Sequence, residues 1–578
     1  MNGRSLLQLI SFASLAVLAA SPEGDSNEMP PVPACRSFDQ AVSSCPQQLT
    51  AEGEAELRAY IDAGELSDLR WPNFENYQIE TREFYNSFRN SLPWIQNTKP
   101  TRQAREIVQE LKNAEKKGLR SEHYDGPLWN ERLASFDRPN RPSETALIRF
   151  DVALSVSTMR YLSDLHIGRV NPHVVHFKLH VEDKSLDLSE YLRFAIVDAQ
   201  DVHAAIESVE PQFPAYRRTI EALHTYLEFA RRDDGEVLPD THEVIKPGDY
   251  YPGVPRLRKL LTLLGDFSRA GREAAPEMIY EGKLVDAVKH FQERHGLEAN
   301  GFIDVHTLEE LNTPLSRRVV QLQLTLERWR WLPQDLPRPP IVVNIPEFRL
   351  HAVGEEHRVV FSMNVVVGRA YHHQTPVFAS EIKSVIFRPY WNVPLEIQQD
   401  ELLPEIERKP QYLAENAFEI VDTSGRIVDE GAITEDTKDQ LRSGRLMLRQ
   451  KPGPENSLGL LKFEMPNPYD VYLHATPATE LFSRSRRDFS HGCIRVEDPI
   501  ALAVWVLRDE PEWTAERVRS AMNGDETMRV NPSKPIPILV VYGTAVVKED
   551  GEVGFFKDIY GHDLALEKAL TKSYPRSE

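Results

Sequence analysis

The run HRVVFSMNVVVG, His357 to Gly368, decides the fold. It is rich in valine and partly alternating, which suits a strand packed on a pleated surface and not a helix. Runs of the same character stand on both sides: IVVNI from Ile341, FRLHAV from Phe348, SVIFRPYWNV from Ser384, DVYLHA from Asp470 and IPILVVYGTAVV from Ile536. Helices are predicted among them at about Asp400–Arg408, Pro499–Arg508 and Thr514–Met522. Runs of strands with inserted helices predict a mainly β domain over residues 340–548, not a regular βαβ sheet. The more polar stretch 396–444 reads as an insertion over one edge of the sheet, a lid, and 549–578 as a C-terminal extension.

Upstream the periodicity is helical. Leu147, Phe150, Leu154, Tyr161 and Leu165 share one side of a helix over Thr145–Leu165, and Tyr216, Ile220, Leu223 and Leu227 do so over Tyr216–Arg231. Residues 50–251 therefore read as a mostly helical scaffold. A small helical unit follows at 252–316. Leu284, Ala287, Val288 and Phe291 face inward, Gly296 ends that helix, and Asp304 caps the next one, which turns Leu308 and Leu311 inward. Residues 317–339 give a further helix and a proline-rich linker, PQDLPRPP. The whole is a multidomain α+β chain.

The bulk numbers agree. At 578 residues the chain exceeds the ~250–300 residues that one core supports. A formal charge of −20 excludes a nucleic-acid binder, which needs a basic face. Residues 1–20 read as an export signal: Arg4, an apolar run from Leu6, and Val17-Leu18-Ala19 before the cut. That run is short for a membrane span, and no other is long enough. A polar, proline-rich leader follows at 21–49. The mature protein is expected to be soluble and exported, with no membrane span. In an oxidising compartment Cys35 and Cys45 are close enough in sequence to pair, which leaves Cys493 as the odd thiol.

Cys493 stands in FSHGCIRVEDP, Phe489 to Pro499. A nucleophilic cysteine needs a base or positive surroundings. His491 is two residues away. His474 ends DVYLH, nineteen residues upstream, and from a neighbouring strand it can reach the sulfur across the sheet. Gly492 lets the backbone approach closely, and the Cys493 N–H suits an oxyanion hole. A zinc site from His474, His491 and Cys493 lacks a fourth ligand, and no CxxC or HxxxH pair lies near. A nucleophile and a plain core cysteine both remain open on spacing alone.

His474, fifteen residues, then SHGC from Ser490 resembles the signature of the L,D-transpeptidase (YkuD-like) catalytic domain. RQKPGPENSLGLLKFEMPN from Arg449, YLHATP from Tyr472 and PYWNVPLEIQQDELLPEI from Pro389 resemble the large, multidomain YcbB-type periplasmic L,D-transpeptidases of Gram-negative bacteria. MRYLSDLHIGRVNP from Met159 is similar to their scaffold domain, and AVKHFQERHGL from Ala287 to a peptidoglycan-binding domain. Ala475 stands where the family often has Asp or Gly, Asp304 where the small module usually has glycine, and Asn300 where it has aspartate. The last two bear on whether that module holds glycan or only braces the catalytic domain.

The resemblance implies that Cys493 attacks the carbonyl between the third residue of a stem peptide and D-Ala at position four. His474 takes the thiol proton, and the N–H groups of Gly492 and Cys493 hold the oxyanion. Ser490, His491 and Arg495 shape the site; Trp391, Tyr472, Asn456 and Lys462 are pocket candidates. The thioester then passes to the side-chain amine of another stem, giving a 3→3 cross-link and remodelling the wall. Water or a lipoprotein lysine as acceptor, or a silent wall-binding scaffold, are the alternatives. The implied partners are peptidoglycan stems and glycan strands, and other cell-wall synthases. No cofactor or metal is implied, and the implied location is the periplasm.

Overall fold

The computed structural model describes residues 46–571, apart from 178, 180–183, 242, 269–277, 334–337, 371–372, 410 and 429–432. The export signal, most of the leader and the Cys35–Cys45 pairing lie outside the described residues. Gln47 exchanges backbone hydrogen bonds with Leu92, so packing begins within the stretch read as leader.

The N-terminal half is helical. Its longest helix, α1 (Glu144–Ile167), is capped by Ser143, whose side chain accepts from the Ala146 N–H. It runs through a core that includes Phe84, Trp94 and Trp129. Helix α2 (Pro214–Arg232) spans the second helical stretch, but it joins a different core. Tyr216, Leu223 and Tyr226 pack with Leu322 and Leu326 and with Phe555. The small module is a separate cluster around α3 (Lys283–Arg294), with Leu284, Val288 and Phe291 inside. There Asp304 caps the following helix by accepting from Thr307 N–H at 2.8 Å.

Helix α4 (Leu315–Trp331) ties these parts together. Glu327, buried, accepts from the backbone N–H groups of Arg169 at 2.5 Å and Val170 at 2.8 Å. Arg330, fully buried, donates to the Lys117 carbonyl at 2.5 Å and the Tyr216 hydroxyl at 3.3 Å.

The C-terminal half carries an 11-stranded sheet. Its strands are β1 (Ile341–Asn344), β2 (Arg349–Val353), β3 (Val359–Gly368), β4 (Phe378–Ile382), β5 (Ser384–Phe387), β6 (Leu461–Glu464), β7 (Leu473–His474), β8 (Asp488–Ser490), β9 (Ile494–Val496), β10 (Met528–Val530) and β11 (Ile536–Val541). The order is β10-β5-β6-β7-β9-β3-β2-β1-β11-β4, with β8 alongside β3. Only Lys383 separates β4, at one end of that order, from β5 near the other. The sheet therefore curls on itself around a core that includes Val365, Phe387, Phe463, Leu473, Ile494 and Ile538.

Three runs read as single strands are broken, the third, IPILVVYGTAVV, between Val541 and Ala545. SVIFRPYWNV splits at Arg388, which has positive φ, and at Pro389, which has no N–H to donate. Its second half, Trp391–Asn392, pairs with Leu446–Gln450 in a separate three-stranded sheet completed by Phe418–Asp422 of the inserted segment. DVYLHA pairs only at Leu473–His474, because Asp470 also has positive φ. Past Gly543 a hairpin, Ala545–Val547 with Val553–Phe555, packs on α2 and α4. Helix α5 (His562–Leu570) then places Leu566 in the core of the curled sheet. As far as residue 571, the stretch read as an extension is part of the packed body.

Candidate active site

Burial along three adjacent strands decides which side chains meet. Leu461 and Phe463 on β6 face the core, so Lys462 faces the other way. Val471, Leu473 and Ala475 belong to the core, so Tyr472 and His474 face outward. Ile494 and Val496 are core residues, so Cys493 and Arg495 face outward too. The register completes the picture. Lys462 lies opposite His474 on the antiparallel pair, and His474 beside Arg495 on the parallel pair. Cys493, His474, Arg495, Tyr472 and Lys462 thus share one face.

Cys493 is a free thiol with part of its surface open. Its S–H donates to the Asp470 carbonyl at 3.7 Å. Burial pushes the thiol above its ordinary range; the Tyr472 backbone and hydroxyl and the Lys462 ammonium pull against that. His474 is almost fully buried, and its Nδ1 lies 2.5 Å from the Ala475 carbonyl oxygen. A carbonyl only accepts, so Nδ1 carries a proton. Burial, then Arg495, pushes the imidazole down to about 3; the Ala475 and Leu458 carbonyls draw it up and Lys462 lowers it further. Sulfur up and imidazole down means a neutral thiol beside a neutral imidazole at rest. Among the described residues the thiol's hydrogen bond runs to the Asp470 carbonyl, and none runs to His474.

The loop before the thiol is tightly built. Ser490 Oγ donates to the Cys493 carbonyl at 2.6 Å and accepts from the Gly492 N–H at 3.2 Å. The Gly492 amide, one of the two expected oxyanion donors, is thus engaged at rest. Gly492 has φ of 113°, a conformation that side chains rarely tolerate.

Three family models match the chain. The model for the L,D-transpeptidase catalytic domain (YkuD) covers residues 338–538. The chain carries an L,D-transpeptidase catalytic domain. A "Scaffold domain" model matches residues 80–223, and a "Putative peptidoglycan binding domain" model residues 251–311. A Haemophilus influenzae protein described as "Putative L,D-transpeptidase" is 32% identical over 259 residues, which is 44% of this chain and 51% of that relative. The chain spans about half the length of that curated relative.

Within this L,D-transpeptidase domain the remaining expected residues divide. The Lys462 ammonium sits 3.9 Å over the Tyr472 ring, and that ring meets His474 edge-on at 5.7 Å. The Tyr472 hydroxyl acts on the Cys493 thiol and is itself acted on by Trp391, which belongs to the strand paired with Leu446–Gln450. Arg495 is half-buried. Its Nε is buried and has no hydrogen-bond partner among the described residues. Burial and then Arg369 lower its guanidinium, while Cys493 and Glu480 oppose them.

His491 turns away from the sulfur toward the inserted segment. Its Nε2 lies 2.5 Å from Glu401, and its ring packs edge-on to His373 at 4.7 Å. Asn456 is not aimed at a ligand. Its Nδ2 donates to the carbonyls of Pro389, Gln450 and Lys451, and its Oδ1 accepts from the Leu458 N–H at 2.8 Å. It organises the loop whose Leu458 carbonyl faces His474. Asp470 and Ala475 meet the site through backbone carbonyls, which every residue type has, so no sequence signal marks them. Glu401 carries no motif either.

Proposed function

We propose that this protein is a peptidoglycan L,D-transpeptidase that forms 3→3 cross-links between stem peptides through a Cys493 thioester. The observation that carries the proposal is a partly open thiol sharing the outward face of one sheet with a neutral imidazole, inside an L,D-transpeptidase catalytic domain.

In this reading the stem peptide fills the space over the thiol and displaces its contact with Asp470. His474 then accepts the thiol proton as sulfur attacks the carbonyl before D-Ala. Catalytic hydrogen bonds often tighten only when substrate is bound, which suits the resting contacts described above. An imidazole held low accepts a proton weakly, so the transfer belongs to the attack and not to the resting enzyme. The tetrahedral intermediate collapses, the C–N bond breaks, and His474 returns its proton to the departing D-Ala amine. The side-chain amine of a second stem attacks the thioester, forms the new amide and releases the thiol. The small module and the scaffold position the enzyme on the wall, outside the cytoplasmic membrane. Among the described residues, no helix is long and apolar enough to cross a membrane.

The test is incubation of the purified protein with tetrapeptide muropeptides, with products read by mass. Wild type yields a dimer with loss of D-Ala, and Cys493→Ala yields none. A tripeptide with no dimer replaces the amine acceptor by water. No product with wild type refutes the enzyme reading.

A further inference from the structure

Every peptide around Cys493 is held except on one side. The Ser490 carbonyl accepts from the Arg369 N–H at 3.0 Å, and the Ile494 N–H donates to the Tyr472 carbonyl at 3.0 Å. Ser490 Oγ holds the Gly492 N–H and the Cys493 carbonyl. The Gly492 carbonyl accepts from Thr375 Oγ1 at 2.8 Å. Among the described residues, the Cys493 N–H has no acceptor.

The Gly492 carbonyl and the Cys493 N–H belong to one planar trans peptide, so they point in opposite directions. Whatever fixes that carbonyl aims that N–H. The need is real here, because glycine with φ of 113° is free to let the following peptide swing. Thr375 is fully buried and fully engaged: Oγ1 donates to Gly492 and accepts from the Gly368 N–H at 2.9 Å. Its own N–H donates to the Tyr560 hydroxyl at 3.2 Å, and that hydroxyl donates to the Gly368 carbonyl at 2.6 Å. Tyr560 is locked in turn, its N–H donating to Tyr542 Oη at 2.9 Å and Tyr542 donating to Asp558 at 2.6 Å. Tyr560 lies beyond residue 538, where the match to the catalytic family model ends.

We infer that Thr375 and Tyr560 are positioning residues for acyl transfer: they clamp the Gly492 carbonyl and so aim the Cys493 N–H at the oxyanion. The inference rests on the acyl-enzyme reading above. It makes the C-terminal segment part of the working site. Neither residue touches the reacting atoms, and their effect passes through a single peptide plane.

The test separates oxyanion stabilisation from thiol reactivity. Full-length wild type, Thr375→Val, Thr375→Ser and Tyr560→Phe are compared in two reactions. Acylation by a carbapenem-type β-lactam passes through a tetrahedral oxyanion; alkylation by iodoacetamide does not. Losing an oxyanion donor typically costs ~10²–10³ in rate, so a mis-aimed one should cost about 10- to 100-fold in acylation for Thr375→Val. Tyr560→Phe lies between that and wild type. Alkylation stays within about two-fold, and Thr375→Ser restores acylation. Thermal melting checks that each variant is folded, and Tyr560→Phe keeps its ring should Thr375→Val fold poorly. Acylation unchanged in a folded Tyr560→Phe or Thr375→Val, or acylation and alkylation falling together, overturns the clamp. No adduct on wild type overturns the acyl-enzyme reading itself, and the clamp with it.

Discussion

Replacing Tyr472 by Phe deletes one hydroxyl from the Cys493 sulfur and leaves the ring against Lys462 and His474. In the resting enzyme burial holds the thiol high, and the Tyr472 hydroxyl is among the groups that pull it down. A hydrogen bond to a charged group contributes roughly 1.5–3 kcal/mol, and one pKa unit is about 1.4 kcal/mol. Losing the hydroxyl should therefore push the thiol further up and cost the thiolate about 10- to 100-fold in population. The sign follows directly: a group that favours the thiolate is gone, so ionisation needs higher pH. The assay is the rate of iodoacetamide alkylation of Cys493 between pH 6 and 10, read by intact mass. For wild type the rate should still be climbing above pH 8.5, the ordinary cysteine midpoint. At pH 8 the Phe variant should react about 10- to 100-fold more slowly and approach wild type at the top of the range. A wild-type midpoint below 8, or superimposable profiles for the two proteins, would refute the neutral resting pair and the role given to Tyr472.

Further outcomes follow from the same structure. Ser490→Ala frees the Gly492 N–H and the Cys493 carbonyl together and should slow β-lactam acylation at least ~10-fold in a protein that still melts cooperatively. Glu327→Ala removes the carboxylate 3.4 Å from the buried Arg330 guanidinium and the acceptor of two backbone N–H groups, and should cost about 3–5 kcal/mol in urea denaturation. Asp498→Ala removes the cap on the helix after the motif, whose side chain accepts from Ile500 and Ala501, and should cost about 1 kcal/mol without changing acylation. Asp151, buried in the scaffold, is pushed up to about 8 by burial against the pull of Tyr85 and the Trp94 N–H. Its folded pKa lies above the unfolded one, so stability should fall as pH rises from about 4 to about 8. Melting of wild type against Asp151→Asn across that window checks it: wild type should lose ground to the variant toward pH 8, and a constant gap contradicts it.

The strands were legible because valine-rich alternation reports a half-buried pleated surface; that Tyr472, His474, Cys493 and Arg495 share one face came from burial and strand register in the structure. Where it misled, the backbone was the cause. Arg388 and Asp470 adopt left-handed conformations that a side-chain pattern does not reveal, and Pro389 hands Trp391 to a second sheet. The destination of His491 was illegible, since Glu401 is ninety residues away and belongs to the inserted segment. The carbonyls of Asp470, Ala475 and Leu458 carry no residue signature, although they set the resting thiol and the imidazole tautomer. Thr375 and Tyr560 act through a peptide plane, and Tyr560 sits in a stretch that reads as a tail. Asn456 stood among the pocket candidates that the resemblance implies; its amide is instead taken up by backbone groups.

The most direct measurement of the central claim is intact mass after exposure to a carbapenem-type β-lactam, with peptide mapping of the product. The account predicts one adduct per chain, carried by the peptide that contains Cys493, and slowed in His474→Asn. An adduct of equal yield in Cys493→Ala, or one mapped to another residue, contradicts it.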